Sequence, residues 1–235
     1  FLIAAPVLFF IALALIFATR LPGLGSTVNG ATRWIQIGPF PLQPSEIMKP
    51  ILLLQSAQIF ARWTRLTFWE RTIWLGLFAI TLLGILIQPN LSTAALYGIT
   101  LWLIALAAGL PFLQLGGTAL IGILVGTISI CFKDYQRRRV MSFLNPWADN
   151  MGDGYQLVQS LYAVGSGGVT GTGFGESQQK LSYLPFQHTD FIFSIYSEEF
   201  GLLGSLFLIA LLMVYSYIAL RVALKTHHPI YRLIA

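Results

Sequence analysis

The sequence predicts an all-α fold, a polytopic bundle of membrane-crossing helices, and three observations carry that reading. Charged residues make up 10% of the 235 and hydrophobic ones 56%, against about 25% charged in an ordinary water-soluble domain. Mean hydropathy is +0.73, so water is not the main solvent of this chain. Six apolar windows, residues 1–19, 47–61, 72–87, 91–110, 113–132 and 200–220, approach or reach the roughly 20 residues that carry a helix across a bilayer. Backbone groups in hydrocarbon must be paired internally, and these windows lack the alternation of barrel strands, so each is read as a helix.

The first window opens in mid-helix at Phe1, without Met or the charged start of a signal peptide, so the chain reads as a fragment. It is taken as one domain over residues 1–235, free of repeats and low-complexity tracts. Its single cysteine, Cys131, excludes an internal disulfide and a cysteine metal cluster. The net charge of +5 is scattered over loops between apolar helices. That pattern points to lipid headgroups or a phosphate-bearing substrate and away from nucleic acid.

After the first window comes a Gly- and Pro-rich loop, residues 20–44, followed by a helix start with Ser45 read as its N-cap. Within "NGATRWIQIGPFPLQPSEIMKP", residues 29–50, a turn signal precedes Arg33; Glu46 suits the helix dipole, and Lys49 lies one turn in. Lys49 is either an anion contact or a side chain snorkelling to the headgroups. The turn "QPNLSTA", residues 88–94, offers Asn90 or Ser92 as a cap for the fourth helix.

The fifth window leads into a loop of 58 residues, 133–190, and loops of that length are uncommon unless functional. Three arginines in residues 62–71, and Arg221, Lys225 and Arg232 in the tail, place those two segments in the cytoplasm, so alternation turns both large loops outward. The long loop nevertheless holds Lys133, Arg137, Arg138, Arg139 and Lys180. Basic residues kept outside against the usual bias suggest an anion to be bound. The arginine forks suit a diphosphate, or else only lipid headgroups.

In the same loop, residues 155–164 pattern as an amphipathic helix, with Tyr155, Val158, Leu161 and Tyr162 on one face and Gln156, Gln159 and Ser160 on the other. The run "GSGGVTGTGFGES", residues 165–177, contains Ser166 but lacks the Lys-Ser/Thr ending and preceding strand of a phosphate loop. Its glycines suit sharp turns or close backbone approach.

"LPFQHTDFIFSIYSEEFG", residues 184–201, is the most informative stretch. Asp190 stands at the membrane boundary, where partial desolvation makes a carboxylate a candidate general base. The alternative is a helix cap made by Thr189 or Asp190. Glu198 and Glu199 follow two turns on, and acids within a membrane are functional candidates by default. His188 fits a hydrogen-bonding role; His227 and His228 carry none.

The stretches "NGATRWIQIGPFPLQPSEIMK", "FLNPWADNMGDGYQLVQSLYAVGSGGVTGTGFGES" and "QKLSYLPFQHTDFIFSIYSEEFG" together resemble the SEDS family of peptidoglycan polymerases (FtsW, RodA, SpoVE). The wording of residues 173–193 is most similar to the FtsW cell-division branch. The resemblance implies ten helices in the whole protein, of which this chain is similar to the third through eighth, and an extracytoplasmic long loop whose essential aspartate falls on Asp190.

It further implies a glycosyltransferase that polymerises lipid II on the outer face of the bacterial cytoplasmic membrane at the division septum. Arg33, Lys49, Arg137, Arg138, Arg139, Gln159, Ser166, Lys180, His188, Thr189, Glu198 and Glu199 are the substrate-binding candidates. The implied partners are a class B penicillin-binding protein, polyprenyl-diphosphate-linked glycan and membrane lipids. No cofactor is evident and no metal ligand set is seen, although a divalent cation would suit the diphosphate. A lipid II flippase is the alternative. One departure matters: the family commonly has Asp where Asn90 stands, and Asn keeps a cap but takes no proton.

Overall fold

A computed structural model describes residues 2–21, 24–28, 31–88, 90–181 and 183–235, so the Asn29-Gly30 turn signal and Pro89 lie outside the described residues. The chain divides into two compact units, residues 1–127 with 222–235, and residues 128–221.

The first unit is built on helices α1 (Ala5–Ala18), α2 (Pro44–Ala61), α3 (Phe68–Ile87), α4 (Leu91–Ala107) and the start of α5 (Phe112–Phe132). A short terminal helix α9 (Pro229–Ile234) packs on α2. Because α2 touches α1, α4 and α9, it is buried on most sides, with Met48, Leu52, Gln55, Ser56 and Ala57 all enclosed. Phe9 meets Trp74 and Phe78 edge-on where α1 crosses α3. The α3 start is fixed by a reciprocal capping box between Thr67 and Glu70.

Five of the six apolar windows correspond to α1 through α5. The sixth is the second part of α8 (Ile192–Lys225), which is broken at Gly201. Among the described residues α3, α5 and α8 are long and apolar enough to cross a membrane, with α1 and α4 shorter. The outward apolar side chains of α5 and α8 are what hydrocarbon solvent requires.

Two local expectations are corrected. Residues 20–44 are not simply a loop: β1 (Gly25–Val28), β2 (Ala31–Ile37) and β3 (Phe40–Leu42) form an antiparallel meander, with a register shift at Ser26/Thr27. Nor is Ser45 the N-cap of α2. The helix begins at Pro44, with Gln43 as the extended cap residue, because proline's fixed φ and missing N–H suit the first helical position. Ser45 sits inside, accepting from Gln43 Nε2 at 3.0 Å, and its carbonyl accepts from the Tyr97 hydroxyl of α4.

The sheet is tied to the α3–α4 turn. Arg33 Nε donates to the Gln88 carbonyl at 3.0 Å, and Arg20 donates to the Ile87 carbonyl. Gln88 itself donates to the Ile16 carbonyl and Thr19 Oγ1 at 2.8 and 2.9 Å. Asn90 caps α4 by accepting the Thr93 N–H at 3.3 Å.

In the second unit the expected 58-residue loop has structure of its own. It contains α6 (Asp134–Leu144), a 3-10 turn at Pro146–Asp149 and α7 (Tyr155–Ser166). The expected faces of α7 are only partly realised. Val158 and Ala163 are buried, but so is Ser160, whose hydroxyl donates to the Leu157 carbonyl at 2.7 Å; Leu161 and Tyr162 are exposed.

Candidate active site

Residues 167–191 connect α7 to α8 and fold onto the first turns of α8. The cause is Gly201, whose φ of 64° and ψ of −162° lie outside helical space. The N–H groups of Leu202 and Leu203 therefore do not serve the carbonyls of Glu198 and Glu199, four residues before each, as an unbroken helix would require. All four groups are satisfied by the loop. Thr172 and Gly173 donate to the Glu198 and Glu199 carbonyls at 2.9 and 3.1 Å, and Leu202 and Leu203 donate to the Gly168 and Val169 carbonyls at 2.9 and 3.1 Å. Non-helical backbone is tolerated at membrane depth only where protein repairs it in this way.

Glycine is required where these backbones meet. A Cβ on Gly171 would lie 2.1 Å from the Glu199 carbonyl oxygen, and one on Gly201 would lie 2.3 Å from the Gly171 nitrogen. The glycine run thus serves close approach between two stretches of the chain.

The side chains of the acid pair hold the next part of the loop. Glu198, 2% exposed, accepts from Ser177 Oγ at 2.5 Å, the Gln178 N–H at 3.0 Å and the Gln179 N–H at 3.4 Å. Glu199 pairs with Lys180 Nζ at 2.8 Å. Lys180 returns its own N–H to Ser177 Oγ at 3.2 Å. Ser177 was not singled out from sequence, though it stands at the end of a glycine run, where loops commonly close.

From there the chain passes buried Leu184, and the Tyr183 carbonyl accepts from the Tyr155 hydroxyl of α7 at 2.8 Å. It then turns at Phe186. With φ of 55° this residue occupies the left-handed region, which a bulky side chain rarely adopts. Its carbonyl accepts from the N–H and hydroxyl of Thr189 at 3.1 and 3.2 Å, and from the Phe191 N–H at 3.4 Å.

His188, Thr189 and Asp190 ride on this turn, all exposed. The capping alternative is not what the geometry adopts: the Thr189 hydroxyl donates backwards to Phe186, and among the described residues the Asp190 carboxylate has neither hydrogen bond nor ion pair. The turn is well held, and its carboxylate is left for solvent or ligand.

The arginines do not form one cluster. They are consecutive on α6, so they project about 100° apart around the helix. Arg137 pairs with Asp134 at 3.5 Å, Arg138 with Asp153 at 3.3 Å, and Arg139 lies 5.6 Å from the centre of the Tyr135 ring. Gln159 is half-buried on α7, and Ser166 is exposed and donates to the Ala163 carbonyl at 3.0 Å. In the first unit Lys49 pairs with Glu46 at 2.6 Å, and Arg33 makes the Gln88 contact described above. Among the described residues no group of three or more His, Cys, Asp or Glu side chains converges to hold a metal.

Comparison with known proteins agrees with this architecture. The chain is 58% identical over 224 residues to a Synechocystis sp. protein named "Probable peptidoglycan glycosyltransferase FtsW", covering 95% of this chain and 57% of that one. It is 49% identical over 226 residues to a "Putative peptidoglycan glycosyltransferase FtsW" of Cyanophora paradoxa, covering 96% and 57%. The chain therefore spans a little over half the length of the curated relatives it matches.

Its fold superposes with a TM-score of 0.75, at 26% identity, on a chain solved in work on coordination of polymerization and crosslinking by a peptidoglycan synthase complex, covering 99% of this chain and 65% of that one. It shares the fold of Thermus thermophilus rod shape determining protein RodA, with a TM-score of 0.65 at 24% identity, covering 99% and 60%. The family model for the FtsW/RodA/SpoVE cell cycle proteins matches residues 3–235. A broken apolar helix repaired by a glycine loop, with an uncommitted carboxylate on the turn before it, is thus found in a chain that belongs to the FtsW/RodA/SpoVE family of membrane proteins.

Proposed function

We propose that this chain carries the catalytic base of a peptidoglycan glycosyltransferase that polymerises lipid II in cell division, with Asp190 as that base. The observation that carries the reading is the Asp190 carboxylate itself, exposed and without a partner among the described residues on a turn fixed by three hydrogen bonds to the Phe186 carbonyl.

In the reaction, Asp190 accepts the proton of the acceptor sugar's 4-hydroxyl as that oxygen bonds to the donor's anomeric carbon. The bond from that carbon to the diphosphate oxygen breaks, the polyprenyl diphosphate leaves with the electron pair, and the anomeric configuration inverts. His188 and Thr189, on the same turn, contact the sugars. Developing charge on the leaving group calls for fixed cations, and within the second unit Arg138 and Lys180 are proposed for that role, with Arg137 and Arg139 flanking. Gln159 and Ser166 line the saccharide path in this reading. Arg33 and Lys49 are proposed as phosphate contacts of the first unit.

The relatives' names and the likeness to a chain of a peptidoglycan synthase complex support a crosslinking partner, for which a class B penicillin-binding protein is proposed, and a septal location. The deciding experiment is polymerisation of lipid II by the full-length natural protein with Asp190→Asn. Loss of glycan strands with folding intact is expected; undiminished product removes Asp190 from the chemistry.

A further inference from the structure

In the first unit, the turn after α2 and the connection from α4 to α5 line an open cleft of about 250 Å³. Phe60, Trp63 and Leu110 line its apolar side; Thr64, Arg71 and Gln114 line its polar side. None of these residues belongs to the site described above.

Arg71 reaches this wall from the first turn of α3 with a donor to spare. Its Nη2 donates to the Thr64 carbonyl at 3.3 Å, and its guanidinium carbon lies 5.6 Å from the centre of the Trp63 ring. Its Nη1 has no hydrogen-bond partner among the described residues, while Nε is closed off from solvent within the wall. Among the described residues no carboxylate neutralises it: neighbouring Glu70 is turned onto the Thr67 N–H and hydroxyl at 2.7 and 2.8 Å, and the ion pairs lie elsewhere.

A guanidinium keeps its charge under all ordinary conditions and carries five donors in a planar fork. The outer edge of the Arg71 fork, with Nη1 unpartnered, can give an oxyanion in the adjoining space a charge-assisted hydrogen bond. The apolar half of the wall gives a free inorganic ion nothing. It suits a phosphate attached to a glyceride body, whose apolar part packs on Phe60, Trp63 and Leu110. Arg62 and Arg65, on the same turn and exposed, add positive potential of the sort that draws anionic lipids to basic pockets between helices.

We propose that this cleft binds a phosphate-bearing anion, specifically the headgroup phosphate of an anionic phospholipid, with Arg71 as its principal ligand. The site is independent of the glycosyl-transfer reading.

The test is retention of phosphatidylglycerol by the full-length natural protein in detergent, measured by native mass spectrometry beside phosphatidylcholine and inorganic phosphate. Preferential retention of phosphatidylglycerol, reduced about tenfold or more by Arg71→Ala, is expected. Gln114→Glu, on the exposed part of the wall, keeps Arg71 and supplies a competing carboxylate, so it should lower retention without disturbing the fold. Arg71-dependent binding of inorganic phosphate with no preference between the two lipids keeps a phosphate site and rejects the lipid as its occupant. Equal retention of both lipids and no phosphate binding, unaltered in both variants, overturns the proposal.

Discussion

The Ser177 hydroxyl donates to Glu198 Oε2 at 2.5 Å, across 21 residues of sequence, and so ties the loop after α7 to the first turns of α8. Glu198 accepts two further loop N–H groups while buried, and hydrogen bonds to a charged group are each worth about 1.5–3 kcal/mol. Glu198→Ala should therefore lower unfolding stability by roughly 3 kcal/mol or more, read as thermal unfolding in detergent. Ser177→Ala should cost about half that. Equal melting temperatures for both variants and the natural protein would refute the clamp.

The glycines separate into required and replaceable ones. Gly171 and Gly201 have φ of 84° and 64° and no space for a Cβ, whereas Gly165, in α7, has nothing within 4 Å of one. Gly171→Ala and Gly201→Ala should each cost roughly 3 kcal/mol or prevent folding. Gly165→Ala should be neutral, or stabilising by up to about 1 kcal/mol from helix propensity. A protease-protection assay in membranes distinguishes these outcomes.

Asp190→Asn removes charge from an exposed side chain that supports nothing else on the turn. Stability should stay within about 0.5 kcal/mol of the natural protein, while polymerisation should fall by about 10²-fold or more, the scale of a lost general base. A parallel fall in melting temperature would make the residue structural.

Arg138 tests whether α6 serves the diphosphate. Its ion pair with Asp153 is solvent-exposed, 62% and 50% by side chain, and such pairs contribute about 0–1 kcal/mol. Arg138→Ala should accordingly leave protein level nearly unchanged while raising the KM for lipid II several-fold. Equal losses in level and in activity would assign Arg138 to the fold.

The helical windows were legible because hydrocarbon permits little else; composition and length alone located α1 through α5 and most of α8. A side-chain cap from Asn90 or Ser92 was also readable, since a short polar side chain before a helix start has few other uses; the structure uses Asn90. The meander was harder to read. Asn29-Gly30 is a strong hairpin signal, but residues 20–44 are also rich in Gly and Pro, which usually argue against strands. Pro44 displaced Ser45 as the start of α2 because a fixed φ outweighs a side-chain cap. Arg137–Arg139 read as one cationic patch only while α6 was taken for a loop; helical geometry spreads them.

The break at Gly201 had a local signal, a glycine just after two acids in an apolar run. Its repair depends on residues some 30 positions earlier, which no local pattern reports. Asp190 was legible from motif and boundary position, but its lack of a partner is visible only when the turn at Phe186 is in view.

An unbroken helix of the 34 residues in α8 would measure about 51 Å, well beyond the ~30 Å hydrocarbon slab. The interruption at Gly201 leaves a straight rod of about 36 Å for the crossing. The Gly168 and Val169 carbonyls take the Leu202 and Leu203 N–H groups at that rod's upstream end, so the rod depends on the preceding segment for its first two backbone bonds. A chain lacking those two loop residues would leave the first peptide groups of the rod bare in hydrocarbon, where nothing else can pair them.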